Sequence, residues 1–140
     1  MTQIRTVLVT EDRLEGLGLE GELASLTAGA IVTFSGNVRN HDHGRQVVSL
    51  HYEAHPSAQQ VLEAVARELA EQHDVEALSI AHRVGAIPIG ESALLVVVAA
   101  SHRGEAFELC RAAVDLTKEK LPVWKHQVFD DGTDEWVNCA

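Results

Sequence analysis

Apolar residues recur along this 140-residue chain with two different periods, and the changes between them divide it into short elements. Residues 3–9 predict a first strand. The Gly- and Glu-rich stretch 11–26 predicts a short helix and its connections. Residues 29–38, β-branched and mostly apolar, predict a second strand. That strand runs into a polar segment, residues 39–45, which lacks hydrophobic periodicity and reads as a loop. Alternation resumes over residues 47–53 as a third strand. Pro56 and Ser57 then open a helix, with Ser57 as N-cap and Val61, Leu62, Val65 and Leu69 as its apolar stripe.

The second half repeats this economy. Residues 75–83 predict a strand, residues 85–90 a turn, and the near-continuous apolar run 93–100 a central strand. A second long helix begins after residues 101–104. Phe107, Cys110, Val114 and Leu121 fall on one of its faces, and Pro122 ends it. Residues 123–129 and 135–137 predict short strands around an Asp130-Asp131-Gly132 turn. The order of elements predicts a single α+β domain over residues 1–140, with a mostly antiparallel sheet and two principal helices.

Composition narrows the function classes. The net charge of -10 argues against nonspecific nucleic-acid binding, which depends on many basic groups neutralising phosphates. No apolar run reaches membrane-spanning length, and the first residues lack the apolar core of a signal peptide. Two cysteines, Cys110 and Cys139, make no disulfide framework, so a reduced, cytoplasmic setting is expected. The eight histidines read as loop and surface residues, with His102 the exception. His41 and His43 bracket Asp42, and His51 and His55 follow, but this spacing lacks the grammar of a zinc site.

The chemistry concentrates in three polar islands at the ends of elements: residues 39–45, His102-Arg103, and residues 118–125. The last contains every lysine of the chain: Lys118, Lys120 and Lys125. Lysine is a mobile point charge whose pKa responds readily to desolvation, which suits it to acid–base and acyl chemistry. His102 and Arg103 open a helix, where free N–H groups and a guanidinium favour phosphate or carboxylate. No Gly-x-Ser-x-Gly elbow and no Gly-rich phosphate loop is present. The set fits binding an anion and moving protons around an electrophilic carbon, with the nucleophile brought by something else.

Taken together, the run from Gly29 to Asn40, Ser101-His102-Arg103 with Phe107, and Lys118 followed by Pro122-x-Trp124-Lys125 resemble the large, catalytic subunits of molybdopterin synthase. His82-Arg83-Val84-Gly85 and Trp136-Val137 fit the same pattern. The resemblance covers about residues 3 to 137. It implies an α/β hammerhead fold and a homodimer with a small ubiquitin-like subunit at either end, forming a heterotetramer. It also implies that the small subunit's C-terminal Gly-Gly thiocarboxylate supplies sulfur to cyclic pyranopterin monophosphate (precursor Z), giving the dithiolene of molybdopterin.

Matched position by position, the resemblance implies Lys118 and Lys125 as catalytic residues. It implies Phe34, Arg39, His102 and Arg103 as substrate-binding residues, and no metal or cofactor. Arg39, His102 and Arg103 would hold the phosphate and the pterin edge, Lys118 would face the donor tail and Lys125 the substrate. Lys120 matches no motif position and reads as a solvated bystander. A non-catalytic anion-binding module and a His-based metalloprotein are the competing readings. An acidic chain suits an apolar interface with the small subunit, leaving charge recognition to the tail.

Overall fold

The computed structural model describes residues 1–138; Cys139 lies outside the described residues. The elements follow the order β1 (Gln3–Thr10), a 3-10 turn (Leu14–Gly16), α1 (Leu19–Leu23), β2 (Ala30–Asn37), β3 (His41–Asp42), β4 (Arg45–Ala54) and α2 (Ala58–Gln72). After these come β5 (Ala77–Arg83), β6 (Gly85–Ala86), β7 (Ser92–Ala100), α3 (Arg103–Lys120), β8 (Val123–Phe129) and β9 (Asp134–Asn138). The expected α+β class holds. The sheet is not one but two: a four-stranded sheet in the order β1-β5-β7-β2, and a second in the order β3-β4-β8-β9 with β6 pairing β4. Among the described residues only the β1–β5 pair is parallel.

The continuous apolar run of β7 reflects its place between β5 and β2, covered on both faces. On one face, Leu78 and Ile80 of β5 and Leu94, Val96 and Val98 of β7 pack beneath α2 and α3. The other face uses smaller residues, Ala77, Ala81, Val97 and Ala99, against Leu14, Leu19 and Leu23 of the segment after β1. Burying each large aliphatic side chain contributes about 1.5–3 kcal/mol, and Leu62, Leu69 and Leu109 from the two long helices are all fully buried.

Three local expectations change. Ser57 is the N-cap residue of α2, as expected, but its hydroxyl caps no helix N–H; the Ser57 N–H itself donates to His55 Nδ1 at 3.1 Å. Phe107 is 59% exposed, because α3 buries Ala106, Leu109, Cys110, Ala113, Val114 and Thr117 instead. The polar segment 39–45 is not a shapeless loop: β3 pairs with the start of β4 around His43 and Gly44, which have φ of 50° and 77°. Positive φ at both central residues is what a two-residue hairpin turn demands.

Candidate active site

The two sheets meet at β5 and β6, and the gap between them holds a cavity of about 300 Å³. One wall is a cross-strand row of the first sheet: His82 on β5, Leu94 on β7 and Gly36 on β2, in register. The facing wall belongs to β4 and β8, where Tyr52 is paired with Lys125 and Leu50 with Gln127. Lys118 enters from the last turn of α3, and Arg39 and Asp42 come from the β2–β3 connection.

Each cation is fixed by a different device. Lys125 sits on β8 between β4 and β9, opposite Tyr52 and Val137, so its stem leaves from a paired backbone. Lys118 belongs to a helix whose end is closed by the Leu121 N–H donating to the Thr117 carbonyl, before Pro122. Its charge complements the negative end of the helix dipole. Arg39 follows Val38, whose N–H donates to the Glu91 carbonyl at 2.9 Å and whose carbonyl accepts from the Gly90 N–H at 2.7 Å. Glu91 is in turn ion-paired with the mostly buried Arg83 at 2.7 Å.

Asp42 is the acidic residue of the lining. The buried Gln127 donates to its Oδ2 at 2.9 Å, and the Arg39 guanidinium stands 3.7 Å from Oδ1. The Gln127 hydrogen bond, helped by His43, Lys125 and Arg39, holds this carboxyl below its ordinary value against the opposing effect of burial.

His82 is the histidine that composition and spacing misassigned to the surface. It is fully buried at the end of β5, in line with Leu78 and Ile80. Its Nδ1 lies 2.8 Å from the Arg83 carbonyl, and the Tyr52 ring meets it edge-on, with centroids 5.0 Å apart. Burial, with Lys118 nearby, lowers its pKa to about 4, so the imidazole is neutral and Nδ1 carries the hydrogen.

The cavity therefore gathers Arg39, Lys118 and Lys125 from distant parts of the chain, but not the whole expected set. Phe34 lies on β2 beneath the cavity wall, and a side chain at Gly36 would press on its ring at 3.1 Å. His102 and Arg103 stand exposed at the opposite end of α3. Arg103 and Lys118 are fifteen positions apart on α3, about 22 Å along the axis. Lys120 points elsewhere and pairs with Glu68 on α2 at 3.1 Å. Tyr52, His82, Gln127 and Asp42 are lining residues missed from sequence; the first three sit on strands at positions facing inward, and Asp42 on the short β3. Among the described residues no group of His, Cys, Asp and Glu side chains is arranged to hold a metal ion.

A cavity of this size with three cations, a neutral acceptor and apolar Leu50 and Leu94 suits a compact anion with an apolar part. The family model described as MoaE protein matches residues 9–120. The chain belongs to the MoaE family.

The MoaE match takes in Arg39, His102, Arg103 and Lys118 and stops short of Lys125. A molybdopterin synthase catalytic subunit from Thermoplasma volcanium is 34% identical over 131 residues, 93% of this chain and 96% of that protein. The same-named protein of Bacillus subtilis is 38% identical over 111 residues, 79% of this chain and 70% of its own length. That of Oryza sativa subsp. indica is 44% identical over 108 residues, 76% of this chain and 56% of the rice protein. The chain thus spans little more than half the length of its rice relative. Among solved structures, molybdopterin synthase from Staphylococcus aureus superimposes with a TM-score of 0.84 at 28% identity, covering 93% of this chain and 95% of that one. A chain of a complex of subunits 1 and 2 of molybdopterin-converting factor from Helicobacter pylori shares the fold, with a TM-score of 0.72 at 23% identity.

Proposed function

We propose that this chain is the catalytic subunit of a molybdopterin synthase, a sulfurtransferase working in the reduced cytoplasm with a small ubiquitin-like partner. The partner's C-terminal Gly-Gly thiocarboxylate supplies sulfur to cyclic pyranopterin monophosphate, and two donor tails are consumed for each dithiolene formed. The observation that carries this reading is the convergence of Arg39, Lys118 and Lys125 on one cavity in a MoaE-family chain. Relatives named molybdopterin synthase catalytic subunit support it.

In this reading Arg39 binds the phosphate by charge-assisted hydrogen bonds. The first donor sulfur forms a bond to a ring carbon as that carbon's bond to a cyclic-phosphate oxygen breaks, and water then cleaves the acyl–sulfur bond, leaving the tail as a carboxylate and the sulfur on the ring carbon as a thiol. Lys118, at the helix end, faces the tail and stabilises the oxyanion of that hydrolysis. Lys125, on the paired strand, faces the substrate and passes a proton to the phosphate oxygen released as the cyclic phosphate opens.

His102 and Arg103 do not reach this cavity within one chain, because α3 holds them a helix length away. In a homodimer a second copy would present its own His102 and Arg103 to the phosphate, while Phe34 supports the wall from below. The test mixes the chain with thiocarboxylated small subunit and precursor Z and assays molybdopterin. Product should require all three components. Product formed without the donor would contradict the mechanism, and binding without product would reduce the chain to an anion-binding module.

A further inference from the structure

We propose that His82 is the cavity's neutral hydrogen-bond acceptor, a specificity-determining residue that binds an N–H or O–H donor on the ring system of the anionic ligand. This rests on the function proposed above and deepens it. All three cations of the cavity recognise negative charge, and none of them distinguishes a pterin from a bare phosphate. His82 is a fully buried side chain of the lining whose Nε2 has no hydrogen-bond partner among the described residues.

The local geometry fixes the polarity of that nitrogen. Nδ1 lies 2.8 Å from the Arg83 carbonyl, an atom that only accepts, so the ring hydrogen resides on Nδ1. Nε2 is then a bare lone pair on the ring edge away from the Arg83 carbonyl, in a side chain that packs against Tyr52 and feels the Lys118 charge. A phosphate oxygen without a proton is repelled there, whereas an amide, amine or hydroxyl hydrogen is accepted. Protonation does not rescue an anion, because the imidazole stays neutral to about pH 4.

Packing alone does not account for the residue. The same face of β5 is filled by Leu78 and Ile80, and a third apolar side chain would occupy the site without stranding a buried acceptor. The cross-strand neighbour Leu94 supplies such a surface beside it. The unpaired nitrogen is therefore the feature that a ligand would complete.

Calorimetric titration of the full chain with cyclic pyranopterin monophosphate, and separately with inorganic phosphate, tests this. His82→Phe keeps the ring and removes the acceptor, while His82→Gln places an amide oxygen near the Nε2 position. Pyranopterin should bind His82→Phe about tenfold more weakly, equivalent to about 1.4 kcal/mol, with His82→Gln recovering most of the loss. Phosphate affinity should be the same in all three proteins. Equal pyranopterin affinity in wild type and His82→Phe, or a parallel loss of phosphate binding, overturns the inference alone. A wild-type chain that binds phosphate but no pyranopterin overturns the sulfur-transfer reading and this inference with it. Should the variants not fold, nitrogen NMR of histidine-labelled wild type decides. Saturation with pyranopterin should move the unprotonated Nε2 resonance upfield, and a resonance that stays still, or moves equally with phosphate, counts against His82.

Discussion

Asp42 and Gln127, 85 positions apart, are joined by a 2.9 Å hydrogen bond that ties the β3 hairpin to β8 beside the cavity. Gln127 also donates to Glu135 on β9 at 2.9 Å, so one buried amide links three strands. Gln127→Leu strands both carboxylates and should cost about 1.5–3 kcal/mol in denaturant unfolding. The folded pKa of Asp42 lies below the ordinary 3.8. Its contribution is thus complete above that value and is lost as the pH falls through the folded pKa. Asp42→Asn should flatten the acid limb of stability in that window; an unchanged limb would show that the hydrogen bond contributes nothing.

The three lysines separate into two kinds. Lys118→Ala and Lys125→Ala should each lower molybdopterin formation by about 10² to 10⁴-fold, the range for lost proton-transfer or oxyanion groups, with thermal unfolding and small-subunit binding retained. Lys120→Ala should leave product formation unchanged and shift stability by no more than about 1 kcal/mol, since it breaks only an exposed pair with Glu68. Full activity in either of the first two variants would refute their assignment.

His82 imposes a pH dependence of its own. An unfolded imidazole takes up a proton as the pH falls below 6.5, while the folded one stays neutral to about 4. The unfolded chain binds more protons in that window, so stability declines as the pH drops through it. The decline attributable to His82 is on the order of 3 kcal/mol between those limits. Chemical denaturation of wild type and His82→Phe at several pH values should show a shallower slope for the variant.

Two glycines close to residues 101–103, one in space and one in sequence, should respond in opposite senses. A side chain at Gly29 would collide with the Ser101 carbonyl oxygen, a backbone atom that cannot swing away. Gly29→Ala should therefore destabilise by about 1–3 kcal/mol and displace the neighbouring His102-Arg103 segment. Gly104 lies in the first turn of α3 with open space around it. Gly104→Ala should stabilise by up to about 1 kcal/mol through helix propensity. Equal denaturation midpoints for the two variants would contradict this account.

Much of the fold was legible because each element carries its own period. Val61 to Leu69 on α2 and the apolar run of β7 declare helix and strand locally. Alternation does not say which strand pairs with which, so the division into two sheets was hidden until β6 was seen to pair with β4. The lysines were visible as a cluster because composition isolates them. The separation of His102 and Arg103 from Lys118 follows from their sharing one helix, since a straight α3 cannot bring both ends to one ligand. Gln127 and Asp42 were not legible, for their contact depends on the β3 hairpin folding beneath β8. His82 was hidden by the general preference of histidine for the surface, although two aliphatic residues at alternate positions before it mark an inward face.

A small cationic cavity in a molecule of net charge -10 has a kinetic consequence. An approaching anion meets repulsion from the whole body before it feels Arg39, Lys118 and Lys125 at contact range. The screening length shrinks from about 30 Å at 0.01 M salt to about 8 Å at physiological ionic strength. Added salt therefore removes the distant repulsion first and leaves the short-range attraction largely intact. Stopped-flow association of an anionic ligand should accelerate over this range, the reverse of the slowing seen when an enzyme's overall field steers its substrate inward.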